Sequence, residues 1–295
     1  MGRALAAVSP EAEAVFRQAD EALGRPLSKL IAEGPSEELT FTWNTQPAIL
    51  TVSVACLAAL RARVNLAPVA VAGHSLGEYT ALVAAGAMDF ADAVRIVEKR
   101  GRFMQEAVPL GVGTMYAVLG LDVGVLESIC REVSKPGNLV AVANDNCPGQ
   151  TVISGHVAAV AEAAEKAKSA GAKRAVELQV SAPFHCALME PAAERLSKEL
   201  EGVTFAAPSV PVVANVDGEP NMNPSRIALL LRRQVSSPVL WQACVRKLAG
   251  LGAKTVVEIG PGKVLSGLAK RIDSTLGVVN VEDPATLEAF VGGLG

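Results

Sequence analysis

Apolar positions near the start of the chain recur at helical spacing, with Ala12, Val15, Phe16, Ala19 and Leu23 on one face. Ser9-Pro10-Glu11 supplies an N-cap, a first helical position suited to proline and a first-turn acid, and Gly24 a stop. The chain therefore opens on a helix rather than a strand. A second helical run starts near Thr45-Gln46-Pro47 and carries Val54, Leu57 and Leu60, and the unbroken apolar run over 67–72 reads as a buried strand. Helix formers return over 78–85. Asp89 then caps a helix that begins at Phe90 and ends in Lys99-Arg100-Gly101-Arg102.

From Gly113 the pattern changes to strand over 114–119, a helix capped by Asp122, strands over 139–143 and 151–154, an Ala-rich helix over 157–170 and a strand over 174–180. That order, β-α-β-β-α-β, is the ferredoxin-like arrangement, and its self-contained length marks 113–178 as a module inserted into a larger α/β domain made of 1–112 and 179–295. Beyond it the pattern predicts a helix over 187–200, a strand near 210–214, and helices around 224–234 and 238–249. A strand over 255–259, the turn Gly260-Pro261-Gly262 and a helix over 264–272 complete another β-loop-α unit.

Composition agrees with helices packed on a buried sheet: 50% of the 295 residues are hydrophobic and only 4% aromatic. A net charge of -3, with no Lys/Arg run interleaved with aromatics, argues against a nucleic-acid partner. Cys56, Cys130, Cys147, Cys186 and Cys244 are odd in number and lack CxxC spacing, which fits reduced thiols and indicates neither a zinc site nor a disulfide framework. No uninterrupted apolar run is long enough for a membrane span, and residues 1–7 have no secretory apolar core, so the expectation is a soluble cytoplasmic protein.

The chemistry concentrates in Gly73-His74-Ser75-Leu76-Gly77. A GxSxG turn with a strand before it and a helix after it is a nucleophile elbow. The glycines allow the sharp turn and the close approach of neighbouring segments. Ser75 then stands at a helix N-terminus, where free N–H groups favour developing negative charge, and the Leu76 N–H is the natural oxyanion donor. The bland alternative is a chance match in a Gly- and Ala-rich chain that marks only a tight turn.

A serine hydroxyl needs a base, and three histidines are available: His74, His156 and His185. His74 adjoins Ser75, so its side chain diverges around the turn. His156 follows a strand end in the inserted module. His185, in a loop where the chain returns to the main domain, is the candidate by elimination, against a merely packed or solvent-facing histidine. Asp145 and Glu177 lie between Ser75 and His185 in the chain, yet neither carries a signature of an acidic third member. Lys99-Arg100-Gly101-Arg102 is either a set of surface cations favoured by a helix C-terminus or a guanidinium fork for a carboxylate, and spacing does not choose. Gly260-Pro261-Gly262-Lys263 lacks phosphate-loop spacing and reads as a structural turn.

Six ordered blocks that together span almost the whole chain carry a more specific signal: GHSLGEYTALVAAG (73–86), KRGRFMQEAVP (99–109), ANDNCPGQTVISGH (143–156), APFHCALM (182–189), QVSSPVLW (234–241) and VEIGPGKVLSGLAKRI (257–272). In order and spacing the chain resembles the malonyl-CoA:acyl carrier protein transacylase family. The resemblance implies an α/β-hydrolase-like main domain with a ferredoxin-like insertion, and an enzyme that moves a malonyl group from malonyl-CoA to the phosphopantetheine thiol of acyl carrier protein through a malonyl-serine, supplying fatty-acid or polyketide synthesis. By motif position it makes Ser75 the nucleophile, His185 its base, Arg100 the partner of the malonyl carboxylate, and Gln234 the residue whose backbone carbonyl orients His185. It implies no metal or redox cofactor. Acyl carrier proteins are acidic, so Lys263, Lys270 and Arg271 are candidates to dock one, against the commoner reading of a solvated helix face.

The family also begins with a strand ending in Gly-Gln-Gly-Ser-Gln, whose first Gln gives a second oxyanion N–H. The sequence here begins at Met1-Gly2, where the family continues after that turn, and the expectation is a truncated start rather than an impaired homologue. Two rival readings stand beside the transferase: a serine esterase or thioesterase that releases the acyl group to water, and a catalytically silent binding protein.

Overall fold

Ser9 Oγ accepts from the Ala12 N–H at 3.2 Å and Gly24 turns left-handed at φ 63°, so helix Pro10–Leu23 has the limits its caps dictate. A short turn of helix, Arg3–Ala6, precedes it. The computed structural model describes residues 1–293. Helices Leu27–Glu33 and Ser36–Thr40, which the apolar pattern does not mark, lead into the long helix Thr42–Arg61, which starts three residues before Thr45. This helix packs against Pro10–Leu23 and Phe90–Glu106. It is long and apolar enough to cross a membrane, but 78% of its most apolar window is buried inside the protein, where it serves as the core of the main domain.

The apolar run over 67–72 forms a strand only at Val71–Ala72. A strand extends only as far as it has a partner: Val71 and Ala72 pair in parallel with Val212 and Val213, whereas Val69 is 50% exposed. The short strand Pro220–Asn221 adds antiparallel to Val212–Val213. A second parallel pair joins Thr255–Ile259 to Gly277–Val281, and helices Val264–Ile272 and Pro284–Gly292 follow the two strands. The last strand and last helix are not marked by the sequence pattern. Helix Phe90–Glu106 runs past Arg102, so Arg100 sits in its interior and not at the C-terminal end where the macrodipole would hold a cation.

Strands Val140–Cys147, Gln150–His156, Gly113–Leu119 and Arg174–Glu177 form, in that spatial order, a fully antiparallel sheet. Helices Val123–Val133 and Val157–Ser169 bury Leu126, Ile129, Val133, Val160 and Ala163 against Val118, Val142 and Ile153, a cluster separate from the main core. This is ferredoxin-like topology, within a mixed α/β fold. Strand Val140–Cys147 extends beyond the expected 143 and is irregular at Val142/Asn144 and Asp145/Cys147. Its extra length stays paired with Gln150–Val152 across the bulges and also reaches the main domain: Asp145 N–H donates to the Val239 carbonyl and Val239 N–H to the Ala143 carbonyl, both at 2.9 Å. The bulged end is thereby tied to the main domain beside the serine turn.

Candidate active site

Strand Val71–Ala72 runs into Gly73-His74-Ser75-Leu76, and helix Gly77–Ala84 begins at once. A Cβ on Gly73 would lie 2.0 Å from the Gly77 carbonyl oxygen, so the turn closes only with glycine there. Ser75 is held at φ 50°, a left-handed conformation that aims its side chain away from both flanking elements.

His185 arrives from the loop before helix Glu190–Leu200 and is itself left-handed, at φ 57°. Its Nε2 lies 2.8 Å from Ser75 Oγ, and its Nδ1 lies 2.8 Å from the Gln234 backbone carbonyl. A carbonyl only accepts, so Nδ1 carries the proton and the Nε2 lone pair faces the hydroxyl. Burial, aided by the Arg100 charge, pulls His185 down to about 3, so the ring is neutral and able to take a proton at physiological pH.

Arg100 lies 1% exposed on the inner face of helix Phe90–Glu106, in register with Val97 and Met104. One terminal nitrogen donates to Gln46 Oε1 at 2.7 Å; the other donates to Gln234 Oε1 at 2.8 Å and to Ser75 Oγ at 3.1 Å. Because Oγ accepts from Arg100, its own proton points to His185. All three partners are neutral, and Arg100 Nε has no partner among the described residues. Burial pulls the guanidinium below its ordinary value, against the opposing pull of Tyr79 and Glu78. A buried cation with neutral hydrogen-bond partners, beside a hydroxyl that faces an imidazole, can receive an anionic group.

The Ser75 N–H is engaged by Asn215 Oδ1 at 2.7 Å, whereas the Leu76 N–H makes no hydrogen bond among the described residues and stands free at the start of helix Gly77–Ala84. The structure thus gathers Ser75, His185, Arg100 and Gln234 with the Leu76 N–H at one place. His74 turns away, its Nε2 at 2.8 Å from Asn146 Oδ1 and its ring tilted against Trp241. His156 Nδ1 accepts from the Leu139 N–H inside the small sheet. Asp145 and Glu177 do not contact His185; Glu177 accepts from Thr114 Oγ1 at 2.9 Å. Lys99 forms an exposed ion pair with Glu199, so the basic cluster divides into one buried guanidinium and surface cations. Lys263 pairs with Glu282, and Arg271 donates to Gln150 and to the Pro148 carbonyl. The turn at 260–262 is pinned by carboxylates: Gly262 N–H donates to Glu282, and Leu265 and Ser266 N–H to Glu258. Among the described residues no group of His, Cys, Asp or Glu is arranged to hold a metal ion.

Sequence reasoning passes over Gln46, Glu78 and Asn215. Gln46 marks only a helix start. Glu78, 3% exposed, accepts from Gln234 Nε2 at 2.7 Å and from the Asn215 N–H at 3.1 Å, and burial pushes its carboxyl up to about 7. The available signal is periodicity: Glu78 precedes Leu82 by four, and Gln234 follows Leu230 by four, so both fall on buried helical faces where a polar side chain needs a reason. Asn215, just past a short strand, gives no signal of its own.

The acyl transferase domain model matches residues 1–287. The malonyl CoA-acyl carrier protein transacylase of Escherichia coli K12 is 50% identical over 285 residues, covering 97% of this chain and 92% of the relative; that of Bacillus subtilis is 49% identical over 291 residues, covering 99% and 92%. Among solved structures, a malonyl-transacylase in complex with its type II PKS acyl-carrier protein superposes with a TM-score of 0.96 at 46% identity, covering 99% of this chain and 94% of that one. The acyl-carrier-protein S-malonyltransferase of Burkholderia pseudomallei gives 0.94 at 46% identity over 97% and 93%. With its serine turn, histidine and buried arginine set on this shared fold, the chain belongs to the acyl transferase domain family.

Proposed function

We propose that this chain transfers a malonyl group from malonyl-CoA to the phosphopantetheine thiol of acyl carrier protein, for fatty-acid or polyketide synthesis. The observation that carries the acyl choice is the Arg100 guanidinium, buried among neutral partners and 3.1 Å from Ser75 Oγ: an acyl group attached at Oγ and bearing a free carboxylate reaches it, and a neutral acyl group leaves it unpaired. Support for the carrier protein comes from the relatives, whose names specify it.

Ser75 Oγ attacks the thioester carbonyl as its proton passes to His185 Nε2, and the Leu76 N–H takes the developing oxyanion. Collapse breaks the C–S bond, and His185 returns the proton to the departing CoA thiolate. The carrier-protein thiol then gives its proton to His185 and attacks the serine ester; collapse breaks the C–Oγ bond and Oγ recovers the proton. Gln234 holds the imidazole through its carbonyl, filling the place an acidic third member takes elsewhere. No cofactor enters these steps. The five buried, unpaired cysteines support a cytoplasmic setting.

Intact-mass analysis after mixing with malonyl-CoA tests the reading. Gain of one malonyl group, lost again on adding holo acyl carrier protein with transfer to its thiol, is the expected result. Absence of the adduct overturns the reading, and release of free malonate without carrier loading replaces it with a thioesterase.

A further inference from the structure

Asn215 follows strand Val212–Val213, whose parallel register with Val71–Ala72 sets it beside the serine turn. Its side chain is 0% exposed and engaged at both ends: Oδ1 accepts from the Ser75 N–H at 2.7 Å, and Nδ2 donates to the Gly73 carbonyl at 2.8 Å. Its main chain is fixed as well, the N–H donating to Glu78 Oε2 at 3.1 Å and the carbonyl accepting from the Leu240 N–H at 2.9 Å. One rigid amide therefore spans the turn from the residue two before the nucleophile to the nucleophile itself.

We propose that Asn215 is a positioning residue for Ser75: its side-chain amide clamps Gly73 and Ser75 so that Oγ is delivered to His185, and it occupies the Ser75 N–H so that Leu76 is the donor left to face the reacting oxygen. The clamp answers a specific physical problem. A left-handed serine relaxes toward ordinary backbone unless its surroundings hold it, and rotation about φ would carry Oγ off the His185 lone pair. Glu78 completes the device from below. The same Oε2 atom that anchors the Asn215 N–H also accepts from Gln234 Nε2, and Gln234 in turn holds His185 through its carbonyl and donates to the Ser75 carbonyl at 2.9 Å. Nucleophile and base are thus referred to one buried carboxylate. Asn215 touches neither the acyl group nor the arginine that would bind it, so its loss acts on the attack and not on binding.

The inference rests on the transfer reading through Ser75 as nucleophile, and its test uses two reagents. Rates of Ser75 modification are measured by intact mass with malonyl-CoA and with a serine-directed fluorophosphonate, and the malonyl-CoA Kd is measured by calorimetry in a Ser75→Ala background. Asn215→Ala is expected to slow both modifications by about 10²-fold, the cost of roughly 1 Å of misplacement, while the Kd stays within about twofold. Undiminished rates in the folded variant, or a Kd that rises as far as the rates fall, would overturn the proposal. If Asn215→Ala does not fold, Asn215→Asp, which keeps the acceptor for the Ser75 N–H and removes the donor to Gly73, is measured in the same way: slowed modification at constant Kd supports the clamp, and undiminished rates overturn it. Wild-type protein that takes the fluorophosphonate but no malonyl group would sink the transfer reading alone, and the fluorophosphonate rates would still decide for or against Asn215.

Discussion

Ser75 and His185 are the only non-glycine residues with a left-handed backbone among the described residues, at φ 50° and 57°, and their side chains meet at 2.8 Å. Strain is therefore confined to the two positions that must face one another. A left-handed non-glycine residue costs on the order of 1–2 kcal/mol. Ser75→Gly is accordingly expected to be more stable than Ser75→Ala by about 1 kcal/mol, the reverse of the usual order of these residues, while both variants fail to form an acyl-enzyme. Urea unfolding midpoints of the two variants check this, and equal midpoints would show that the turn is not strained at Ser75.

On the proposed reading Arg100 offers charge to a substrate carboxylate, from a setting without a protein counter-ion at hydrogen-bond distance. Arg100→Ala should lower kcat/KM for malonyl-CoA by about 10²-fold, the scale of a charge-assisted hydrogen bond lost, and leave slow acetyl loading largely unchanged. Competition between malonyl-CoA and acetyl-CoA reads the ratio directly. A preserved malonyl preference would remove Arg100 from substrate selection.

The acid limb of the rate profile should carry the mark of His185. On the proposed reading its neutral form is the base, and burial together with Arg100 holds its folded value at about 3, so kcat/KM should show no His185 limb near the ordinary 6.5. A bound carboxylate offsets the Arg100 charge, the second-largest of the depressing causes after burial. The corresponding limb in kcat should therefore lie at higher pH than in kcat/KM, and coincident limbs would contradict the proximity of substrate anion and base.

Stability against pH reports two buried groups of opposite sign. His185 falls from 6.5 unfolded to about 3 folded, so the unfolded chain binds the extra proton between those values and stability rises with pH there. Glu78 rises from 4.5 to about 7, so the folded chain binds the extra proton and stability falls with pH across that window. Between 4.5 and 6.5 the two slopes oppose each other. Glu78→Gln removes one of them, and the Tm of that variant should climb with pH from 4.5 to 6.5 relative to wild type; parallel curves would deny that Glu78 is perturbed.

Gly73→Ala should be among the most damaging single-methyl changes. The added carbon meets the Gly77 carbonyl at 2.0 Å, backbone against backbone, with no side chain to swing aside. Loss of acylation with a lowered Tm is expected, and a folded, fully active variant would mean that the turn has a second way to close.

Much of this is legible in the chain because it is local. Ser9 and Gly24 bracket helix Pro10–Leu23, strand Thr255–Ile259 and helix Val264–Ile272 fall where periodicity puts them, and a strand, a GxSxG turn and a helix suffice to mark Ser75. Strand limits are less legible. The run over 67–72 is uniformly apolar, but pairing with Val212–Val213, far along the chain, leaves only Val71–Ala72 in the sheet. Hydrogen bonds between distant segments set those ends, and no local window contains both partners.

By itself, then, the sequence determined the α/β class, the ferredoxin-like module and the residue types of an acyl-transfer site. Family resemblance singled out Arg100 and the Gln234 carbonyl where spacing did not choose; tertiary structure alone decided that Gln234 also offers Arg100 a side-chain oxygen, that Gln46 joins it, and that Glu78 and Asn215 stand behind the nucleophile. Local propensity and periodicity place a residue on a face. Which faces meet, and which buried polar atoms must then satisfy one another, is fixed only when the whole core closes around them.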